Sequence, residues 1–310
     1  MLSERGAARM GRVQGTVQTE GRAGGRIRAL LLVAVVGVLL SACGGNHPRG
    51  EAADPPGVEV LRDLAYGSDP DQRLDVHRSA DAQHAPILVM VHGGGWRRGD
   101  KANPGVVKNK VAHYVPAGYL VVSINYRLSP EVDPLAQAHD VAAALSFVQS
   151  AASAWGGDPR RIVLMGHSAG AHLVSLVTAD PGYREGAGAA PWLGTIALDS
   201  AAYDVPQIMN GPHPALYDDA FGQDEVLQRE ASPTLVLSGT PEPLLLVCGS
   251  NRAAACPQAD AFGAAVRAHG STATVLPIDM SHGDIDSQVG VAGPLTSAVD
   301  DFLTSLGLPT

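Results

Sequence analysis

From Ile87 onward the chain alternates short apolar runs with segments of helical period, and this alternation constrains its fold more than any other feature. The runs lie at Ile87 to Val91, Leu120 to Ile124, Ile162 to Met165, Leu193 to Leu198, Leu244 to Cys248 and Thr274 to Pro277, and read as strands. Helical spacing appears at Leu135 to Ser150, Ala169 to Thr178, Pro257 to His269 and Pro294 to Leu306. Parallel strands need long crossovers, so the pattern predicts a parallel sheet with helices on both faces. Two earlier runs, Val58 to Tyr66 and Arg73 to His77, flank the turn residues Asp69-Pro70-Asp71 and predict an antiparallel hairpin at one edge. The expected fold class is α/β, an eight-stranded and mostly parallel sheet in one domain of residues 58–310. The full chain's 45% hydrophobic content is ample for such a core.

The first 42 residues are of a different kind. Six Arg and two Glu precede the uncharged run Ala29 to Leu40, after which small residues lead to Cys43. That layout is a signal peptide's. Twelve helical residues rise about 18 Å against a hydrocarbon core of roughly 30 Å, which disfavours the other reading, a membrane anchor helix. Leu40-Ser41-Ala42-Cys43 resembles the lipobox of bacterial lipoproteins, in which the signal is cut before a Cys that carries the lipid. The resemblance implies lipid attachment at Cys43 and a place in the cell envelope, tethered to a membrane. Met10 is an alternative start. Residues 43–57, rich in Gly and Pro, read as a flexible spacer.

Without residues 1–42 the formal charge falls from −9 to −13, which excludes nucleic acid as a partner because phosphates are repelled. Cys248 and Cys256 remain after Cys43; an oxidising compartment would permit a disulfide between them, the alternative being two buried thiols. No Cys/His cluster has zinc spacing, and no phosphate-loop pattern carries its Lys, so no metal or organic cofactor is expected.

The chemistry centres on Gly166-His167-Ser168-Ala169-Gly170, directly after one apolar run and before a helix. A sharp strand-to-helix turn leaves no room for Cβ atoms at the two glycines and presents the Ser168 hydroxyl at the C-terminal edge of the sheet. His92-Gly93-Gly94-Gly95-Trp96 follows another strand 76 residues earlier. Consecutive glycines let N–H groups face a developing oxyanion, so the amides of Gly93, Gly94 and Ala169 are expected to form the oxyanion hole. Ser168 needs a base. His282 follows the last strand, whereas His92 and His167 belong to the glycine-rich motifs and His172 lies one turn into the helix.

Together His-Gly-Gly-Gly-Trp and Gly-His-Ser-Ala-Gly resemble the carboxylesterase branch of the α/β hydrolases, near the bacterial feruloyl-esterase-like and arylformamidase-like proteins. Gln72-Arg73-Leu74-Asp75-Val76, Asn125-Tyr126-Arg127-Leu128 and Gly157-Asp158-Pro159 extend the resemblance and are scaffold in that family. The family places its acid after the penultimate strand, but residues 249–255 contain no carboxylate. Asp260 falls on a predicted helix. Asp199, at the end of the preceding strand, is the candidate acid; a backbone carbonyl or Asn251 would orient His282 less well.

The resulting expectation is a serine carboxylic-ester hydrolase acting on a small-molecule ester through an acyl-enzyme on Ser168. Two alternatives stay open: an arylformamidase or other amidase, and an impaired hydrolase fold that serves as an envelope binding protein. The stretch from Ser200 to Ser232, broken by Pro206, Gly211, Pro212, Pro214 and Gly222, reads as a lid or pocket wall, or as a plain surface excursion.

Overall fold

The computed structural model describes residues 56–310. The signal peptide, the Cys43 lipid site and all but the last two residues of the spacer lie outside the described residues. Eight strands form one sheet: β1 (Val58–Ala65), β2 (Arg73–Ser79), β3 (Ala85–Val91), β4 (Leu120–Ile124), β5 (Gly157–His167), β6 (Gly194–Leu198), β7 (Leu244–Gly249) and β8 (Ala273–Ile278). Their order is β1-β2-β4-β3-β5-β6-β7-β8. β2 runs antiparallel to both β1 and β4, and every other pair is parallel. The hairpin thus docks on β4 rather than on β3, its successor in the chain.

Side chains along a strand alternate between the sheet's faces, and both faces are apolar here. Val89 and Leu164 face a core completed by α2 (Pro134–Ala151) and α3 (Ala169–Ala179), while Leu88 and Val163 face one completed by α1 (Pro104–Tyr114) and α11 (Pro294–Ser305). A third cluster joins β7 to α9 (Ala255–Ala268) through Leu246, Cys248, Ala259 and Phe262. Burial on both sides is why the central strands read as continuous apolar runs.

Two of the scaffold motifs, those of Gln72 and Arg127, meet at one carboxylate. Asp140 of α2, almost fully buried, accepts from Arg127 Nε at 2.9 Å and Nη2 at 2.7 Å, and from Gln72 Nε2 at 2.7 Å. Tyr126 stacks on His92 at 4.5 Å between ring centroids and donates its hydroxyl to the His92 carbonyl at 2.9 Å. The Asn-Tyr-Arg motif therefore fixes the strand end from which the glycine-rich loop departs.

Among the described residues no helix is long and apolar enough to cross a membrane. The remaining helices, α4 (Pro181–Ala187), α5 (Val205–Met209), α6 (Ala215–Phe221), α7 (Glu225–Glu230), α8 (Pro233–Val236) and α10 (His282–Ser287), are short. Four of them build the stretch that follows β6, where Pro and Gly recur.

Candidate active site

Ser168 sits on the turn between β5 and α3 with φ of 55°, a left-handed conformation uncommon for a side-chain-bearing residue. The surrounding packing imposes it. A Cβ on Gly166 would lie 2.3 Å from the Gly170 carbonyl oxygen, and one on Gly170 would lie 2.2 Å from that of Val91. Both flanking positions therefore require glycine. The Ser168 amide donates to Leu198 O at 2.9 Å, tying the turn to β6. Ala169 opens α3, so its N–H has no partner within the helix and points out at the end where the helix dipole is positive.

His282 opens α10, where the Ser281 side chain caps the helix by accepting from the Asp284 amide. Its Nε2 lies 2.9 Å from Ser168 Oγ, and its Nδ1 lies 2.6 Å from Asp199 Oδ2. Asp199 is fully buried, and its other oxygen, Oδ1, accepts from the Gly249 amide at 2.7 Å. Burial alone would raise this carboxyl, but hydrogen bonds from His282 and Gly249 and the charge of Arg252 hold it below the usual carboxylate range. The structure thus assembles Ser168, His282 and Asp199 from three strand ends into one hydrogen-bonded chain. The acid position comes from β6 instead of the loop after β7.

A cavity of about 700 Å³ opens over this chain, lined by Gly94, Ala169, Ser200, Ala201, Leu216 and Tyr217 among others. Gly94 (φ 120°) and Gly95 (φ 62°) turn the loop so that both face the cavity. Gly93 lies behind them, where a Cβ would come within 2.9 Å of Ser168 Cβ and of the His167 carbonyl oxygen. The loop therefore approaches the nucleophile turn as closely as backbone can. Leu216 and Tyr217 belong to α6, so the stretch after β6 forms a pocket wall.

His172 and His167 have structural partners. His172 Nδ1 accepts from Trp96 Nε1 at 3.1 Å, which leaves Nε2 to donate to Ala231 O at 2.7 Å. That fixes one neutral tautomer, and complete burial pushes its pKa down to about 4. His167 donates from Nε2 to the His282 carbonyl at 2.9 Å, and burial again brings it to about 4. On its far side stands Asp286, paired with the buried Lys110 at 2.8 Å. This brace behind the base was invisible in the sequence, because Lys110 and Asp286 are 176 positions apart. Cys248 and Cys256 form a disulfide that closes the loop after β7.

Comparisons with known proteins show likenesses of fold and of sequence. Solved structures of esterase B from Lactobacillus rhamnosis (TM-score 0.65, 22% identity, 82% of this chain and 86% of that one) and of Thermogutta terrifontis esterase 2 phosphonylated by sarin (0.67, 19%, 83% and 98%) share the fold. The chain shares their α/β-hydrolase fold. Residues 74–186 match the BD-FAE family model. The chain is 29% identical over 302 residues to esterase LipQ of Mycobacterium tuberculosis, covering 83% of this chain and 69% of that protein. It is 34% identical over 131 residues to a probable isoprenylcysteine alpha-carbonyl methylesterase of Oryza sativa, covering 42% of this chain and 31% of the relative. The match thus spans under a third of the plant relative's length.

Proposed function

We propose that this protein hydrolyses carboxylic esters of small molecules by a two-step acyl-enzyme route. The observation that carries the reading is the continuous chain from Ser168 Oγ through His282 to Asp199 at the floor of the cavity. His282 Nε2 takes the hydroxyl proton as Ser168 Oγ attacks the ester carbonyl. The tetrahedral oxyanion is stabilised by the Ala169 amide and by amides of the Gly93 and Gly94 turn, to which Gly95 adds a cavity-facing neighbour. His282 then protonates the departing alcohol, and water enters to release the acid by the same exchange in reverse. Asp199 keeps the Nδ1 proton in place and stabilises the imidazolium that forms.

The binding-protein alternative rests on the missing carboxylate after β7, and the 2.6 Å contact of Asp199 with His282 supports the enzyme over it. An amidase would use the same groups and differs in the leaving group alone, so substrate profiling decides between them. The test is hydrolysis of p-nitrophenyl esters from acetate to octanoate, and of aryl formamides, by the purified protein beside Ser168→Ala. Ester turnover that vanishes in Ser168→Ala supports the reading; turnover equal in the two proteins, or seen with formamides alone, overturns it.

We also propose that the protein lies outside the cytoplasm, tethered through Cys43. The Arg-rich leader with its lipobox-like end supports this, as does a disulfide suited to an oxidising compartment. Mass spectrometry of the membrane-extracted protein is expected to find a lipid on Cys43; an unmodified residue 43 in a full-length chain contradicts the tether.

A further inference from the structure

The loop after β7 lacks a carboxylate, yet it sends a charged side chain to the same place. Arg252 Nη1 lies 2.7 Å from Asp199 Oδ2, 2.8 Å from the Asp199 carbonyl oxygen and 3.2 Å from His282 Nδ1. One cationic nitrogen thus grips the carboxylate oxygen that His282 uses and the backbone of the same residue. The Gly249 amide holds the opposite oxygen, so every oxygen of Asp199 has a donor in addition to the imidazole.

We propose that Arg252 is a positioning residue for the acid: it holds Asp199 ionised and aimed at His282, and acts on Ser168 only through that pair. This rests on the esterase reading above. A guanidinium suits the task because it stays charged at any working pH and offers donors in a rigid plane. The buried carboxylate would otherwise face solvent-poor surroundings with no cation beside it, only the imidazole and the Gly249 amide. The surrounding loop is built to hold the arginine. Its amide donates to Gly249 O at 3.0 Å, its carbonyl accepts from Ala255 N at 3.1 Å, and Ser250 N donates to Ile278 O at 2.9 Å. The Cys248 to Cys256 disulfide joins the two ends of that turn. Sequence alone marks the absence of an acid in this loop; the contact shows what the loop contributes to the acid on β6.

The experiment compares wild type, Arg252→Ala and Arg252→Lys by the rate at which a fluorophosphonate labels Ser168 and by steady-state hydrolysis of phenyl acetate. Circular dichroism melts confirm that each variant is folded. Arg252→Ala is expected to slow labelling and kcat together by about ten- to a hundredfold, the range for losing a hydrogen bond to a charged group. KM should change less than kcat, because the hydrogen bonds of Arg252 go to the acid even though its side chain also lines the cavity. Lys should recover part of the loss, and guanidinium ion at millimolar concentration should accelerate the Ala variant but not the wild type. In an Asp199→Asn background the same Ala substitution should cost under about twofold, because the coupling partner is gone. Wild-type labelling rates in Arg252→Ala, a change confined to KM, or a full loss repeated in the Asp199→Asn background each overturn the role. Wild-type protein that does not label at Ser168 overturns the esterase reading itself, and the role with it.

Discussion

Replacing Asp199 by Asn separates the charge of the acid from its shape. The backbone at residue 199 has φ of 57°, a conformation that Asn tolerates as well as Asp does, so the substitution adds little strain of its own. The side chain is fully buried and surrounded by donors: Gly249 N on Oδ1, and His282 Nδ1 with Arg252 Nη1 on Oδ2. An amide NH₂ must therefore meet a donor in either orientation. If it faces Gly249, two N–H groups oppose each other in a dry site. If it faces His282, the imidazole can accept there only by moving its proton to Nε2, and Nε2–H can no longer take the proton of Ser168 Oγ, 2.9 Å away. The wrong tautomer in a comparable triad lowers turnover by about ten thousandfold, or roughly 5.5 kcal/mol of barrier. The assay is kcat for p-nitrophenyl acetate at slightly alkaline pH, with a Ser168→Ala background subtracted. A kcat within about tenfold of wild type would refute the reasoning, since it would mean that His282 keeps its tautomer without a carboxylate.

Other consequences follow from the same contacts. Arg127→Ala leaves the buried Asp140 carboxylate with only neutral donors, and breaking such a pair should cost about 3 kcal/mol or more in urea unfolding; an unchanged midpoint would show that the pair carries no net stability. Cys248→Ser combined with Cys256→Ser opens a loop with a sequence separation of 8, for which the chain-entropy model gives about 2.5 kcal/mol, read as a melting temperature lower by several degrees. His167 and His172 have pKa values lowered to about 4 by burial, whereas an unfolded chain protonates its histidines near 6.5. The unfolded state therefore binds more protons between about pH 6.5 and 4, so stability should fall as pH drops through that window. Asp199, lowered from 3.8, loses its own contribution only at still lower pH. A urea midpoint that stays flat from about pH 7 to 5 would contradict the buried neutral imidazoles.

Much of the fold was legible because local signals and burial point the same way. Strands buried on both faces read as apolar runs, and all eight appear where the sequence places them, though β5 starts at Gly157, five residues before the apolar run that marks it. The two glycine motifs were legible for the same reason: Gly166 and Gly170 stand where any Cβ would strike backbone, a requirement that the bare pattern already expresses. What escaped was long-range. Nothing in the sequence says that β2 pairs with β4, since strand neighbours are set by how the crossovers pack. Asp199 was one candidate among weaker ones until its carboxylate appeared 2.6 Å from His282 Nδ1. Arg252 carries no sequence signal, because an arginine in a loop is usually solvated and its meaning here depends on a carboxylate 53 positions away. The Lys110, Asp286 and His167 brace is likewise a product of tertiary packing between α1, α10 and the end of β5.

The central claim is that Ser168 becomes acylated. The direct measurement is to mix the protein with stoichiometric p-nitrophenyl acetate, quench within the burst and locate the acyl group by peptide mass spectrometry. The account predicts one acetyl group on the peptide bearing Ser168, a matching burst of p-nitrophenol, and neither in Ser168→Ala. Steady release of p-nitrophenol with no adduct on Ser168, or an adduct that persists in Ser168→Ala, would contradict it.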